Sequence, residues 1–150
     1  MILVSACLAG INCKYNGKNN LNQIIQEMVK RGEAVPFCPE QLGGAPTPRI
    51  PCEIKSGTGE DVLAGRCQVI NKKGEGVTSI LIKGAEESLK LAQMINPQKI
   101  ILKERSPSCG KTMIYDGTFT GRKIPGMGVT AALLKKHGFN LLTEEDFKEN

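Results

Sequence analysis

The sequence predicts an α/β fold: a small, mostly parallel, Rossmann-like sheet with helices on both faces. Three observations predict it. Short apolar runs suited to strands recur at 2–5, 34–37, 99–103 and 139–142. Between them lie stretches whose apolar residues repeat at helical spacing, and crossovers of that size join parallel neighbours. The chain has 150 residues and no internal repeat, which suits one domain, 1–150, with its own core.

Ile2 to Ser5 reads as the first strand. Leu21, Ile24, Ile25, Met28 and Val29 then repeat as i, i+3, i+4, i+7, i+8, with Asn20 as N-cap and Gly32 as the stop. Ala34-Val35-Pro36-Phe37 reads as a second strand, weakened by Pro36, which cannot donate to a ladder. Residues 43–76 are rich in Gly and Pro and contain short apolar pieces such as Cys67-Gln68-Val69-Ile70, so loops with room for a hairpin are expected. Leu81, Ala85, Leu89, Ala92 and Ile95 form the stripe of the longest helix, capped by Thr78 or Ser79 and stopped by Asn96-Pro97. Lys99 to Lys103 is the third strand and 117–128 a glycine-rich loop. Val129 to Lys136 is a short helix ending at Gly138, Phe139 to Leu142 a fourth strand, and Thr143-Glu144-Glu145-Asp146 opens a terminal helical turn.

Hydrophobic residues at 40% and charged residues at 23% exclude the disordered and membrane classes. No apolar run approaches the roughly 18 residues of a membrane span, and the start lacks the basic region of a signal peptide. A cytoplasmic protein is expected. The net charge of +5 comes from scattered Lys and Arg, which argues against nucleic acid as a partner.

Six cysteines stand at 7, 13, 38, 52, 67 and 109, with no C-x-x-C pair among them. Zinc ribbons and thioredoxin-type motifs therefore lack support, and a chain of this length needs no disulfide staples. In open α/β sheets ligands bind beyond the carboxyl ends of the strands. Cys7 follows the first strand, Cys38 the second and Cys109 the third, so these three converge on one edge. Cys13, six residues beyond Cys7, is a possible fourth member; Cys52 and Cys67 read as buried filler. The only histidine, His137, ends a helix, where a capping cation is expected. Thiolates without a histidine partner suit an iron-sulfur cluster better than a lone divalent ion, although four ligands are the usual count. A thiol enzyme built on Cys109 would need a base nearby, and His137 is poorly placed for that. Arg49, Lys111 and the glycine-rich turn Pro125-Gly126-Met127-Gly128 could bind an anion at the start of a helix.

Four segments, VSACLAGINCKYNG (4–17), PFCPEQLGGAPTPRIPCE (36–53), LKERSPSCGKTMIYDGTFTG (102–121) and GMGVTAALL (126–134), carry a more specific signal. In order and nearly end to end they resemble the thiouracil desulfidase family. The resemblance implies a 4Fe-4S cluster held by only Cys7, Cys38 and Cys109, with one iron open to substrate sulfur. It also implies a catalytic acid at Glu40, in Cys-Pro-Glu, and a catalytic serine at Ser106, in Ser-Pro-Ser-Cys. The implied reaction is non-redox desulfuration of a thiolated pyrimidine by water, with hydrosulfide as product. Glu40 would take the proton from water and Ser106 would orient water or substrate. The implied partners are a small thiolated base or nucleoside and the cellular iron-sulfur assembly machinery. Ala9 and Ala45 stand where larger aliphatic residues are common in the family, and Cys52 where no cysteine is expected. The alternative is an iron-sulfur electron-transfer protein with Cys13 as fourth ligand.

Overall fold

The computed structural model describes residues 1–148. Strands β1 (Ile2–Ser5), β2 (Ala34–Phe37), β5 (Lys99–Leu102) and β8 (Leu141–Thr143) form a parallel sheet in the order β2-β1-β5-β8. Strands β3 (Cys52–Lys55) and β4 (Gln68–Asn71) form one antiparallel hairpin, and β6 (Met113–Tyr115) and β7 (Lys123–Pro125) another. Helices α1 (Gln23–Lys30), α2 (Pro39–Leu42), α3 (Gly59–Leu63), α4 (Thr78–Ile95) and α5 (Val129–Lys136) complete the order.

The alternation of the strands assigns the layers. Leu3, Ile100 and Leu102 face Ala92 of α4 and Ala131 and Leu134 of α5. Val4 and Ile101 face the opposite way, onto Ile25, Met28 and Val29 of α1. The two central strands are thus apolar on both faces, as a covered parallel sheet requires. A further core under the hairpins joins Ile54, Val69 and Ile114 to Val62, Leu81 and Val129. Pro36 is accommodated because β2 is an edge strand, where a missing donor costs no ladder bond.

The structure corrects several element boundaries. Asn22, not Asn20, caps α1: its side-chain oxygen accepts from the Ile25 backbone N–H at 3.2 Å. Helix α4 begins at Thr78 without a side-chain cap, because the N-cap residue is Val77, which has no acceptor; the Thr78 hydroxyl instead accepts from the Val69 N–H at 3.0 Å and ties the helix to β4. The stretch 117–128 is not wholly loop, since β7 lies within it and pairs with the unforeseen β6. The fourth strand runs over Leu141–Thr143, one to two residues later than the apolar run suggested.

One close crossing bears on the site. A Cβ on Gly84 of α4 would lie 2.2 Å from the Pro39 carbonyl oxygen, and one on Gly43 would lie 2.1 Å from that of Ile80. Two glycines therefore let α2 press directly onto α4. That contact fixes the short helix immediately after Cys38.

Candidate functional site

The chain reaches β2 on one side of β1 and then places β5 and β8 on the other, so the order reverses between β1 and β5. Beyond the carboxyl ends of those strands lies a cavity of about 500 Å³. Such a switch point is where open α/β sheets bind ligands. Cys7, Cys13, Cys38, Glu40, Ser106 and Cys109 all line the cavity, with Tyr15, Phe37, Tyr115 and Phe119 supplying aromatic wall.

Each cysteine is delivered by a different device. Cys7 sits in a 3-10 turn, Ala6–Ala9, that follows β1; its carbonyl accepts from the Asn20 N–H at 3.0 Å. Cys38 directly follows β2 and is the N-cap of α2, with Pro39 pre-set at the first helical position. Cys109 lies in a loop after β5 that is bonded from three directions. Ser106 Oγ accepts from the backbone N–H groups of Ser108 and Cys109, both at 3.1 Å. Glu104 is 4% exposed, and its Oε1 accepts from the N–H groups of Lys111 at 2.8 Å and Thr112 at 2.9 Å. The first N–H groups of α5 complete the clamp, Val129 donating to Pro107 and Ala131 to Ser108. A Cβ on Gly128 would lie 2.5 Å from the Ser108 carbonyl carbon, so only glycine permits this approach.

These contacts use donors that an anion at the glycine-rich turn would need. The Gly126 N–H donates to the Thr112 carbonyl and the Gly128 N–H to that of Gly110, so both glycine donors are taken up by the Cys109 loop. Arg49 is committed as well. Its Nε donates to Glu40 Oε1 at 3.1 Å, Nη1 to the Pro46 carbonyl and to Thr47 Oγ1, and Nη2 to the Cys13 carbonyl at 3.0 Å. Lys111 is not on the cavity wall.

The thiols differ in charge preference. Cys13, 2% exposed, hydrogen-bonds to both Cys38 and Cys7, and burial adds to these in keeping its own proton in place. The same bonds favour thiolate at the two acceptors: Cys7 is lowered, and Cys38 is lowered to about 6, in each case against burial. Cys109 is raised well above the usual thiol value by burial, partly offset by a hydrogen bond with Ser5. Among the described residues no three Cys, His, Asp or Glu side chains gather as a site for one metal ion. The cysteines instead stand around a cavity, a soft donor set without histidine.

Glu40 is fixed at both oxygens, Oε1 by Arg49 and Oε2 by the Ser108 hydroxyl at 3.2 Å, with Glu40 and Arg49 side chains 16% and 11% exposed. Among the described residues no hydrogen bond joins Ser106 to Glu40. The two acceptor positions of Ser106 are filled by backbone N–H groups, which leaves its own proton as its remaining hydrogen-bond function. His137 is the exposed C-cap residue of α5, away from the cavity. Reading the sequence missed Ser108 and Glu104, which anchor the site, and set aside Cys52, which opens β3 on the cavity wall. Glu104 carried one signal, a carboxylate two residues past an apolar strand; Ser108 carried none apart from its place beside Cys109.

A protein of Bacillus subtilis (strain 168) described as the uncharacterized protein YbbK is 50% identical over 149 residues, 99% of each chain. The solved structure of the [4Fe-4S]-dependent thiouracil desulfidase TudS superposes with a TM-score of 0.84 at 38% identity, covering 97% of this chain and 91% of that one. The model of the 2-thiouracil desulfurase family matches residues 2–146, nearly the whole length over which the strands, the cavity and its cysteines are laid out, and the chain therefore belongs to that family.

Proposed function

We propose that the chain is an iron-sulfur-dependent thiouracil desulfidase, all 150 residues acting as one catalytic domain on a thiolated pyrimidine base or nucleoside. The observation that carries this reading is the meeting of Cys7, Cys38 and Cys109 with the doubly anchored Glu40 on one cavity at the sheet switch point. The donor set fits a 4Fe-4S cluster held by three thiolates, since a cluster presents a separate iron to each ligand. TudS, described as [4Fe-4S]-dependent, supports the same cofactor. When bound, such a cluster supplies a sulfur-preferring Lewis acid that draws electron density from a thiocarbonyl carbon.

The chain's own residues supply the rest. Glu40, two residues beyond Cys38, is the base that takes the proton of the attacking water. Arg49 and Ser108 hold its two oxygens, so its position costs nothing at the moment of reaction. Ser106 donates its free proton to water or to the substrate's ring polar groups. Tyr15, Phe37, Tyr115 and Phe119 provide flat apolar surface for a pyrimidine ring. Carbonyl product and hydrosulfide leave with no net electron transfer.

The test is sulfide release from 2- and 4-thiouracil by anaerobically loaded protein. Glu40→Gln and Ser106→Ala are expected to keep the cluster and lose most of that release. Parental turnover in both variants would remove the proposed water activation. One contact favours a second reading: Cys13 lies between Cys7 and Cys38, where it could serve as the fourth ligand of an electron carrier. A carrier would release no sulfide from either base and would lose or convert its cluster on Cys13→Ala.

A further inference from the structure

Cys13 is not required by the reaction above, yet it is buried, lines the cavity and hydrogen-bonds to two of the three thiols assigned to the cluster. Arg49 also ties the two segments together, its guanidinium bonding the Cys13 carbonyl at 3.0 Å and the carboxylate two residues past Cys38 at 3.1 Å. The Lys14 N–H donates to the Lys18 carbonyl and the Cys13 N–H to that of Ile11, so the loop is closed on itself at this point. Two thiols that share a hydrogen bond are a pair that an oxidant can convert to a disulfide.

We infer that Cys13 is a resolving thiol that captures Cys38 as a disulfide when a peroxide has stripped the cofactor from the site. The inference rests on the proposed reading in one respect, that Cys38 is a cluster ligand set free by oxidation. The chemistry balances with hydrogen peroxide as oxidant. Cys38 attacks one peroxide oxygen and becomes a sulfenic acid, with release of one water; Cys13 then gives up its proton to the departing sulfenic hydroxyl as its sulfur attacks the Cys38 sulfur, and a second water leaves. Two thiols are oxidised and one peroxide is reduced. The disulfide stops Cys38 short of the sulfinic state, which cellular thiols do not reverse, and so keeps the ligand recoverable for reloading. The Cys109 side chain bonds Ser5, and no hydrogen bond to another thiol is seen for it among the described residues. Protection is therefore specific to the Cys7-Cys38 side of the cavity.

The experiment starts from loaded protein, bleached with hydrogen peroxide, alkylated and digested with trypsin without reductant. Cleavage at Lys and Arg leaves Cys7 and Cys13 together on residues 1–14 and Cys38 on 32–49. Those two peptides are expected joined, with Cys7 alkylated. In Cys13→Ser the joined species should vanish and sulfinic Cys38 should rise several-fold. Reloading with dithiothreitol, iron and sulfide should fall by a similar factor relative to the parent. Joined peptides persisting in Cys13→Ser, or free Cys13 in bleached parent protein, would overturn the inference; the parent's peptide map decides even where the variant fails to load. A cluster retained in Cys38→Ala would instead break the underlying ligand assignment.

Discussion

The two loops that bring cysteines to the cavity from β1 and β5 are built on different principles. The loop 103–112, carrying Cys109, is held almost entirely by buried backbone donors and acceptors: Glu104 receives N–H groups from 111 and 112, Ser106 those of 108 and 109, and α5 presses its first turn on Pro107 and Ser108. The segment 10–22, carrying Cys13, is mostly exposed, with Ile11, Tyr15 and Leu21 each more than two-fifths open to solvent. Apart from those of Asn22, its side-chain bonds, such as Asn19 to Asn12 at 2.8 Å, are at the surface. A cysteine in the first loop has its position set by the fold before any cofactor arrives. One in the second takes its position from Arg49 and from the other thiols.

The sharpest way to break this contrast is Gly128→Ala. The new methyl would meet the Ser108 carbonyl group at 2.5–2.6 Å, backbone against backbone, with no flexible side chain to yield. A cost of about 3 kcal/mol is expected, the upper end of ordinary overpacking. Denaturant unfolding should report that loss, and iron loading should fall because Cys109 is displaced. Normal stability and loading would mean that the Cys109 loop is far more compliant than its bonds imply.

Glu104→Gln tests the electrostatic half of the same loop. The carboxyl is held below its ordinary value although burial opposes this, because the Thr112, Met113, Lys111 and Arg105 N–H groups all favour its charged form. A group whose folded value is depressed contributes stability above its unfolded value of 4.5 and loses it as pH falls through the folded one. Glu104→Gln should thus cost about 2 kcal/mol near neutrality, in the range for hydrogen bonds to charged groups. The difference from the parent should shrink steadily below pH 4.5. A difference independent of pH would assign the cost to packing alone.

How much of this was legible in the sequence follows the same division. The parallel sheet and its two-sided helical cover follow from periodicities of two and 3.6, which are local signals. What the sequence hid is non-local. That Arg49 turns inward to Glu40 and Cys13 depends on a loop closing across 36 residues. That Gly128 serves a backbone approach depends on a partner 20 residues away. Strands β6 and β7 are three residues each and gain their pairing from the core beneath them, so apolar content alone did not declare them.

Ser106→Ala distinguishes fixing a loop from donating a proton. Removal of the hydroxyl leaves the Ser108 and Cys109 N–H groups without their acceptor, a cost of about 1 kcal/mol, comparable to loss of a helix cap. The Gly110 N–H still bonds the Ser106 carbonyl at 2.9 Å, so the turn should persist and cluster loading with it. The loss in sulfide release should then far exceed the loss in stability. Parallel losses would reduce Ser106 to a turn residue.

The smallest effect belongs to the other loop. Asn19→Ala removes the exposed bond to Asn12 and the acceptor of the Leu21 N–H, yet both ends can turn to water. A change within about 0.5 kcal/mol is expected, as for surface positions away from caps and cores. The bonds that matter there are backbone ones, the Asn20 N–H to Cys7 and the Asn22 N–H to Leu8 at 2.8 Å, and the substitution spares both. Unfolding curves of parent and variant should therefore overlie, and iron content should be unchanged. If Asn19→Ala cost as much as Ser106→Ala, the segment 10–22 would be held as firmly as the Cys109 loop. The Cys13 carbonyl would then have an anchor beyond Arg49, and the difference between the two loops would lie in exposure alone.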